Sequence, residues 1–253
     1  MSLIKSSIVL SLMVAFQGFS QTTQGSGSYL KQAAISESAG IVHLTANSPR
    51  PLLQILDALQ QKYGWVVDYE DPQYVSQMDL VDAPGGSHSR LPGGGSFSVE
   101  FPAGAPQEEK ILHLVVDYYN RSKNPGRFEL RPAAPGVFYV VGIAAHDEKD
   151  AISSQPVLFD LPITVAAGEK PITAILDLIC QEVTAQSHTA VTIGVSPRAL
   201  LDHAPAKVGG TKVAARDLLL QGLMATHHTL YWRLLFDPNS KGYFLDIHTV
   251  RSS

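Results

Sequence analysis

The sequence predicts an α+β fold built as two tandem β-α-β-β-α-β-β modules, each a small sheet packed with two helices. Three observations carry this expectation. The first is an internal repeat: Pro51–Gln61 aligns without gaps, at an offset of 120, with Pro171–Gln181, and Pro51, Ile55, Leu56, Asp57 and Gln61 recur identically. The second is periodicity. Leu52, Ile55, Leu56 and Leu59, and in the second copy Ile172, Ile175, Leu176 and Ile179, fall at i, i+3, i+4, i+7, which makes one apolar stripe of an amphipathic helix. The third is a further pair of helical stripes, Ile111, Leu112, Val115, Val116 and Leu219, Leu220, Leu223, Met224, related by an offset of 108.

The elements follow in order. A β-prone segment precedes each first helix (Ile41–Thr45; Phe159–Val165) and another follows it (Trp65–Tyr69; Thr189–Ile193). Proline at the helix entry stands where its missing N–H costs least. Asp71-Pro72 and Ser196-Pro197 then each pair a capping residue with proline, which predicts a short helical turn. The second half of each module opens with a strand, cleanly alternating over Phe97–Phe101 and weaker over Ala206–Val208. Helices at about 106–120 and 213–226 come next, and two strands close each module: Phe128–Arg131 and Val137–Ile143, then Leu230–Phe236 and Tyr243–Val250. Turn-rich stretches separate the members of each closing pair, Pro132–Gly136 and Asp237–Gly242.

Residues 1–20 read as a cleaved signal peptide. Lys5 precedes the apolar run Ile8–Phe16, and the small residues of Gly18-Phe19-Ser20 suit a signal peptidase. Residues 21–39, rich in Gln, Ser, Thr and Gly, read as a flexible leader. The modules are then expected at 40–144 and 157–250, with a charged and small-residue linker at 145–156. The expected location is periplasmic or secreted, with no membrane insertion once the signal is removed. Cys180 is the sole cysteine, which excludes an intramolecular disulfide, and its place in an apolar helical pattern predicts burial.

Composition narrows the function classes. The formal net charge of −4, with no clustered basic face, argues against a nucleic-acid partner. His227-His228 are adjacent and would point in different directions on a regular element, and no His-x-x-x-His accompanies them, so no metal site and no cofactor is expected. Gly-x-Ser-x-Gly is missing, and the glycine-rich run Pro84–Gly95 lacks the Gly-Lys-Ser/Thr ending of a phosphate loop; no catalytic residue is expected. That run instead reads as a contact loop or a plain connection. The candidate binding surface comprises His88 and Arg90 in it, together with the aromatics Trp65, Tyr69 and Tyr74.

The order of elements, and the Leu/Ile-x-x-Ile-Leu-x-x-Leu/Ile helix entered through proline, resemble the short N-terminal domain shared by secretins and TonB-dependent receptors. Its first half fits Val42–Tyr69 and its second Ser96–Ile143. In the second copy, Ala215–Leu223 looks like the family's second helix, although the strand before it is poor. The resemblance implies an envelope location and docking onto a protein partner, in secretion or envelope assembly, and it carries no catalytic residue across. Residues 1–253 hold no secretin pore, plug or outer-membrane barrel, so the chain is not expected to be the channel or receptor itself. The expected function is that of an exported, non-catalytic adaptor; the alternative is a secreted hydrolase or carbohydrate-binding module with its site between the two modules.

Overall fold

A computed structural model describes residues 32–83, 89–104 and 107–250. The signal-peptide segment and His88 lie outside the described residues. The fold is α+β, with five α-helices and four sheets among the described residues. The first half runs β1 (Ala34–Ser38), β2 (Ile41–Ala46), α1 (Pro51–Tyr63), β3 (Val66–Glu70), β4 (Leu80–Asp82), β5 (Arg90–Pro92), β6 (Phe97–Pro102), α2 (Glu108–Arg121), β7 (Arg127–Ala134) and β8 (Val137–His146). After β9 (Ile152–Ser154), the second half runs β10 (Pro162–Pro171), α3 (Ile172–Ser187), β11 (Val191–Ile193), α4 (Arg198–Asp202), β12 (Pro205–Ala214), α5 (Ala215–Met224), β13 (Leu230–Asp237) and β14 (Gly242–Thr249).

One pairing scheme serves both halves. In the first, β2 pairs antiparallel with β6, β3 pairs parallel with β8, and β7 pairs antiparallel with β8. In the second, β10 pairs antiparallel with β12, β11 pairs parallel with β14, and β13 pairs antiparallel with β14. The two sets then join, because β13 lies parallel to β3 with Arg233 opposite Tyr69 and Leu234 opposite Glu70. The result is a single seven-stranded sheet in the order β11-β14-β13-β3-β8-β7, with β9 on β8.

The joint sheet has a helix layer on each face, and strand alternation sorts the side chains between them. On β8, Phe138 and Val140 enter the core built on α1 and α2, while Tyr139 and Val141 enter the core built on α3 and α5. On β13, Leu235 belongs to the first core, and Trp232, Leu234 and Phe236 to the second. This explains why β8 and β13 read as nearly continuous apolar runs: a strand covered on both faces has no side to leave polar.

Several expectations change. The leader prediction over 21–39 included Ala34–Ser38, which forms β1. The hairpin to β2 turns at Ala39 and Gly40, both at positive φ (49° and 75°), as a two-residue turn matched to strand twist requires. The predicted linker is ordered as well: β9 pairs back on β8, and the Gln155 side-chain amide accepts from the Gln73 N–H at 2.7 Å and donates to the Gln73 carbonyl at 2.9 Å. The strand predicted over 159–165 runs instead over Pro162–Pro171, after a 3-10 turn at Leu158–Asp160. The turn predicted after Ser196-Pro197 is α4. The first-half counterpart is a 3-10 turn displaced to Gln77–Asp79.

Candidate functional site

The seam between the halves is built from acids on a strand. Asp68, Glu70 and Asp71 are all buried at the end of β3. The β3–β13 ladder is short, and carboxylates replace it on either side: Asp68 accepts from the Trp232 N–H at 2.8 Å, and Asp71 Oδ2 from the Phe236 N–H at 3.0 Å. Buried N–H groups must find acceptors, and side chains here supply what the ladder does not. Asp71 also accepts from the Tyr69 hydroxyl (2.8 Å) and from Arg50 Nε (2.8 Å), and Arg50 donates a further bond to the Phe236 carbonyl (2.6 Å). Burial pushes the Asp71 carboxyl above its usual range, and the Arg50 charge and the bonded donors offset part of that rise.

Arg50 precedes α1 in a left-handed conformation (φ 49°), costly for a residue with a Cβ, and its buried bonds hold it there. Glu70 accepts from the Leu158 and Phe159 N–H groups at 2.5 and 3.3 Å, and burial pushes its carboxyl up to about 8. On the other face of β13, Arg233 pairs with Asp57 of α1, whose carboxyl burial pushes up to about 6 in spite of that partner. Asp57, one of the residues that recur in the repeat, is thus largely buried within the seam. The seam is a structural network with its carboxylates engaged by main-chain and arginine donors.

A second feature is an open strand edge. In the first half β1 covers β2, from Ala34 opposite Thr45 to Ser38 opposite Ile41. In the second half β10 occupies the place of β2, and among the described residues no strand pairs with its outer side. The Leu161 carbonyl accepts from the Ala215 N–H (3.0 Å), and the Ile172 N–H donates to the Ala204 carbonyl (3.1 Å). Alternation from these two bonds turns the main-chain groups of Pro162, Thr164, Glu169 and Pro171 away from β12. Proline at each end limits how far another strand can pair, as edge strands commonly do, and leaves Ile163–Lys170 between them.

A third feature is a cleft of about 460 Å³ where the end of α1 meets β13 and β14, lined in part by Gln60, Gln61, Tyr231, His248 and Thr249. The Tyr231 and His248 rings stack with centroids 5.2 Å apart and planes at 23°. Burial and, after it, the Arg233 charge bring the His248 imidazole down to about 4, so it is neutral at physiological pH.

The predicted surface residues do not come together. Tyr69 and Tyr74 are core residues, 1% and 3% exposed, and so do not join an exposed contact patch. Their rings complete the apolar stripe of β3 and the packing beside Gly126, where alternation read too simply left them outside. Trp65 is half-buried and stacks on Tyr63 at 4.9 Å. Arg90 sits on β5, where it pairs with Asp82 (3.1 Å) and Gln77 (2.9 Å), while its main chain exchanges two bonds with Asn239 (2.8 and 3.0 Å). Arg90 therefore ties the first half to the β13–β14 turn. His203, His227 and His228 line one shallow cleft, and His248 lies elsewhere. Among the described residues no group of three or more His, Cys, Asp or Glu could hold a metal ion. Cys180 is buried, and desolvation pushes its thiol up to about 12.

The seam was missed because its bonds join residues far apart in sequence. Its local signal was the run Asp68-Tyr69-Glu70-Asp71, since acids are unfavourable in a strand unless something engages them. Comparison with family models, curated proteins and solved structures found no match.

Proposed function

We propose that this protein is an exported, non-catalytic adaptor of the cell envelope, which takes up an extended segment of a protein partner as a strand antiparallel to β10. The observation that carries the reading is the contrast between two equivalent edges: β2 has β1 on its outer side and β10 has no counterpart among the described residues. β1 shows what fits such an edge, a five-residue extended segment in antiparallel register. Main-chain bonds supply affinity in this mode of recognition, and side chains on alternate positions supply selectivity. The signal-peptide pattern of residues 1–20 supports export to the periplasm or beyond it, and the likeness of the repeat to the secretin and TonB short domain supports a role in secretion or envelope assembly.

The test is site-specific photocrosslinking in envelope extracts, with the probe at Thr164 on the open edge and, as control, at Thr45 on β2, which β1 and β6 flank. The expected result is a discrete adduct from Thr164 that mass spectrometry maps to one extended segment. Glu169→Pro, which removes an outward-facing N–H, abolishes that adduct. Equal crosslinking from the two positions, or an adduct indifferent to Glu169→Pro, overturns the reading.

A further inference from the structure

The cleft between α1 and β13–β14 has the chemistry of a small-molecule site. Its volume, about 460 Å³, falls in the range of ligand clefts, roughly 300–1,000 Å³. Gln60 lines it from the last turn of α1, and only 4% of this residue is exposed. Yet the Gln60 side-chain nitrogen has no hydrogen-bond partner among the described residues, and neither has Nε2 of His248. A buried amide left in that state is destabilising, and natural proteins rarely carry one that no other molecule satisfies.

The wall around these orphan atoms has a definite character. Gln61 and Thr249 add neutral donors and acceptors, and the stacked Tyr231 and His248 rings add flat surface. None of the described residues lining the cleft is an acid, a lysine or an arginine. Arg233, the charge that acts on His248, is paired with Asp57, and His248 stays neutral. The described lining offers no charge to compensate an ionic ligand. It fits a molecule that carries many hydroxyls for the amides and a flat carbon ring for the aromatic wall.

We infer that this cleft binds a neutral pyranose unit, with the Gln60 amide donating to a ring hydroxyl or an acetamido oxygen and the Tyr231–His248 wall contacting the ring. The two halves of the chain each contribute one wall, so the site exists only in the joined structure. It does not depend on the β10 edge, and each can fail without the other.

The experiment is a heteronuclear NMR titration of the full chain with two probes, cellobiose and N,N′-diacetylchitobiose. Side-chain amide signals of Gln60 and Gln61 and the His248 ring signals report the site. The expected result is saturable shifts confined to these groups for at least one probe; the probe preferred tells whether the unit carries an acetamido group. Gln60→Met keeps the volume of the side chain and is expected to weaken binding about tenfold. Thr249→Val, at an exposed wall position, weakens it less and guards against a folding defect in the first variant. Glu169→Pro leaves the titration unchanged. If neither probe shifts the cleft signals, or if Gln60→Met binds as the native chain does, the inference is wrong.

Discussion

The β2–β6 ladder of the first half and the β10–β12 ladder of the second hold the same place in one pairing scheme, but they are finished differently. The first is closed by β1, through a two-residue turn at Ala39-Gly40. The second is a two-stranded ribbon with irregular register between Ile163 and Gly168, and among the described residues no strand covers the outer side of β10. The helices differ in the same sense. Nine residues of α1 are buried, Gln54 and Gln60 among them, whereas α3 buries six, all along one apolar stripe. The first half covers the outer side of β2, while among the described residues the second leaves the outer side of β10 unpaired.

The largest effect is expected where the halves meet. Asp71→Ala leaves Arg50 charged in the core and strips acceptors from Tyr69 and Phe236, which should cost about 3–5 kcal/mol. Calorimetry should show one transition moving down as a unit; two transitions, with the second half unmoved, would mean that the halves fold independently.

The next effect is a pH dependence. Glu70 keeps its proton in the folded chain up to about pH 8 and releases it near the ordinary value of 4.5 when unfolded. Its contribution is therefore complete below 4.5 and lost as pH rises towards 8, at a limit of about 1.4 kcal/mol per pH unit. Denaturant titrations at several pH values should show this fall in the native chain and a shallower one in Glu70→Gln. His248 acts in the opposite sense, since its lowered folded value removes stability as pH falls from 6.5 towards about 4.

A smaller change sharpens the contrast between the edges. Ser36 lies opposite His43, and by alternation from the turn its N–H points at β2, so Ser36→Pro deletes a ladder bond at about 1 kcal/mol. The β2 amides should then exchange faster in hydrogen-exchange measurements while β10 is unaffected. Smallest of all, Glu169→Pro should leave the melting temperature nearly unchanged, because the N–H it removes bonds nothing within the described chain.

The parts legible in the sequence were those governed by local periodicity. The stripes of α1 and α3 and the alternation of β6 are properties of contiguous residues, and they fixed element type and order. β10 and β12 were read too short because Gly168, Gly209, Gly210 and the flanking prolines interrupt a strand pattern; an edge ribbon tolerates them. β1 was hidden inside a polar segment with no buried face, its only signal being the glycine of its turn. The seam and the cleft could not be read at all, because Asp57 meets Arg233 and Gln60 approaches His248 only after β13 docks on β3.

The contrast between the closed and the open edge is tested most directly by residue-resolved amide hydrogen exchange on the isolated chain. The Thr164 and Glu169 amides of β10 should exchange much faster than those of β2, which is flanked by β1 and β6. Protection of Thr164 and Glu169 equal to that of β2 would show that the second edge is already covered, and would contradict the account.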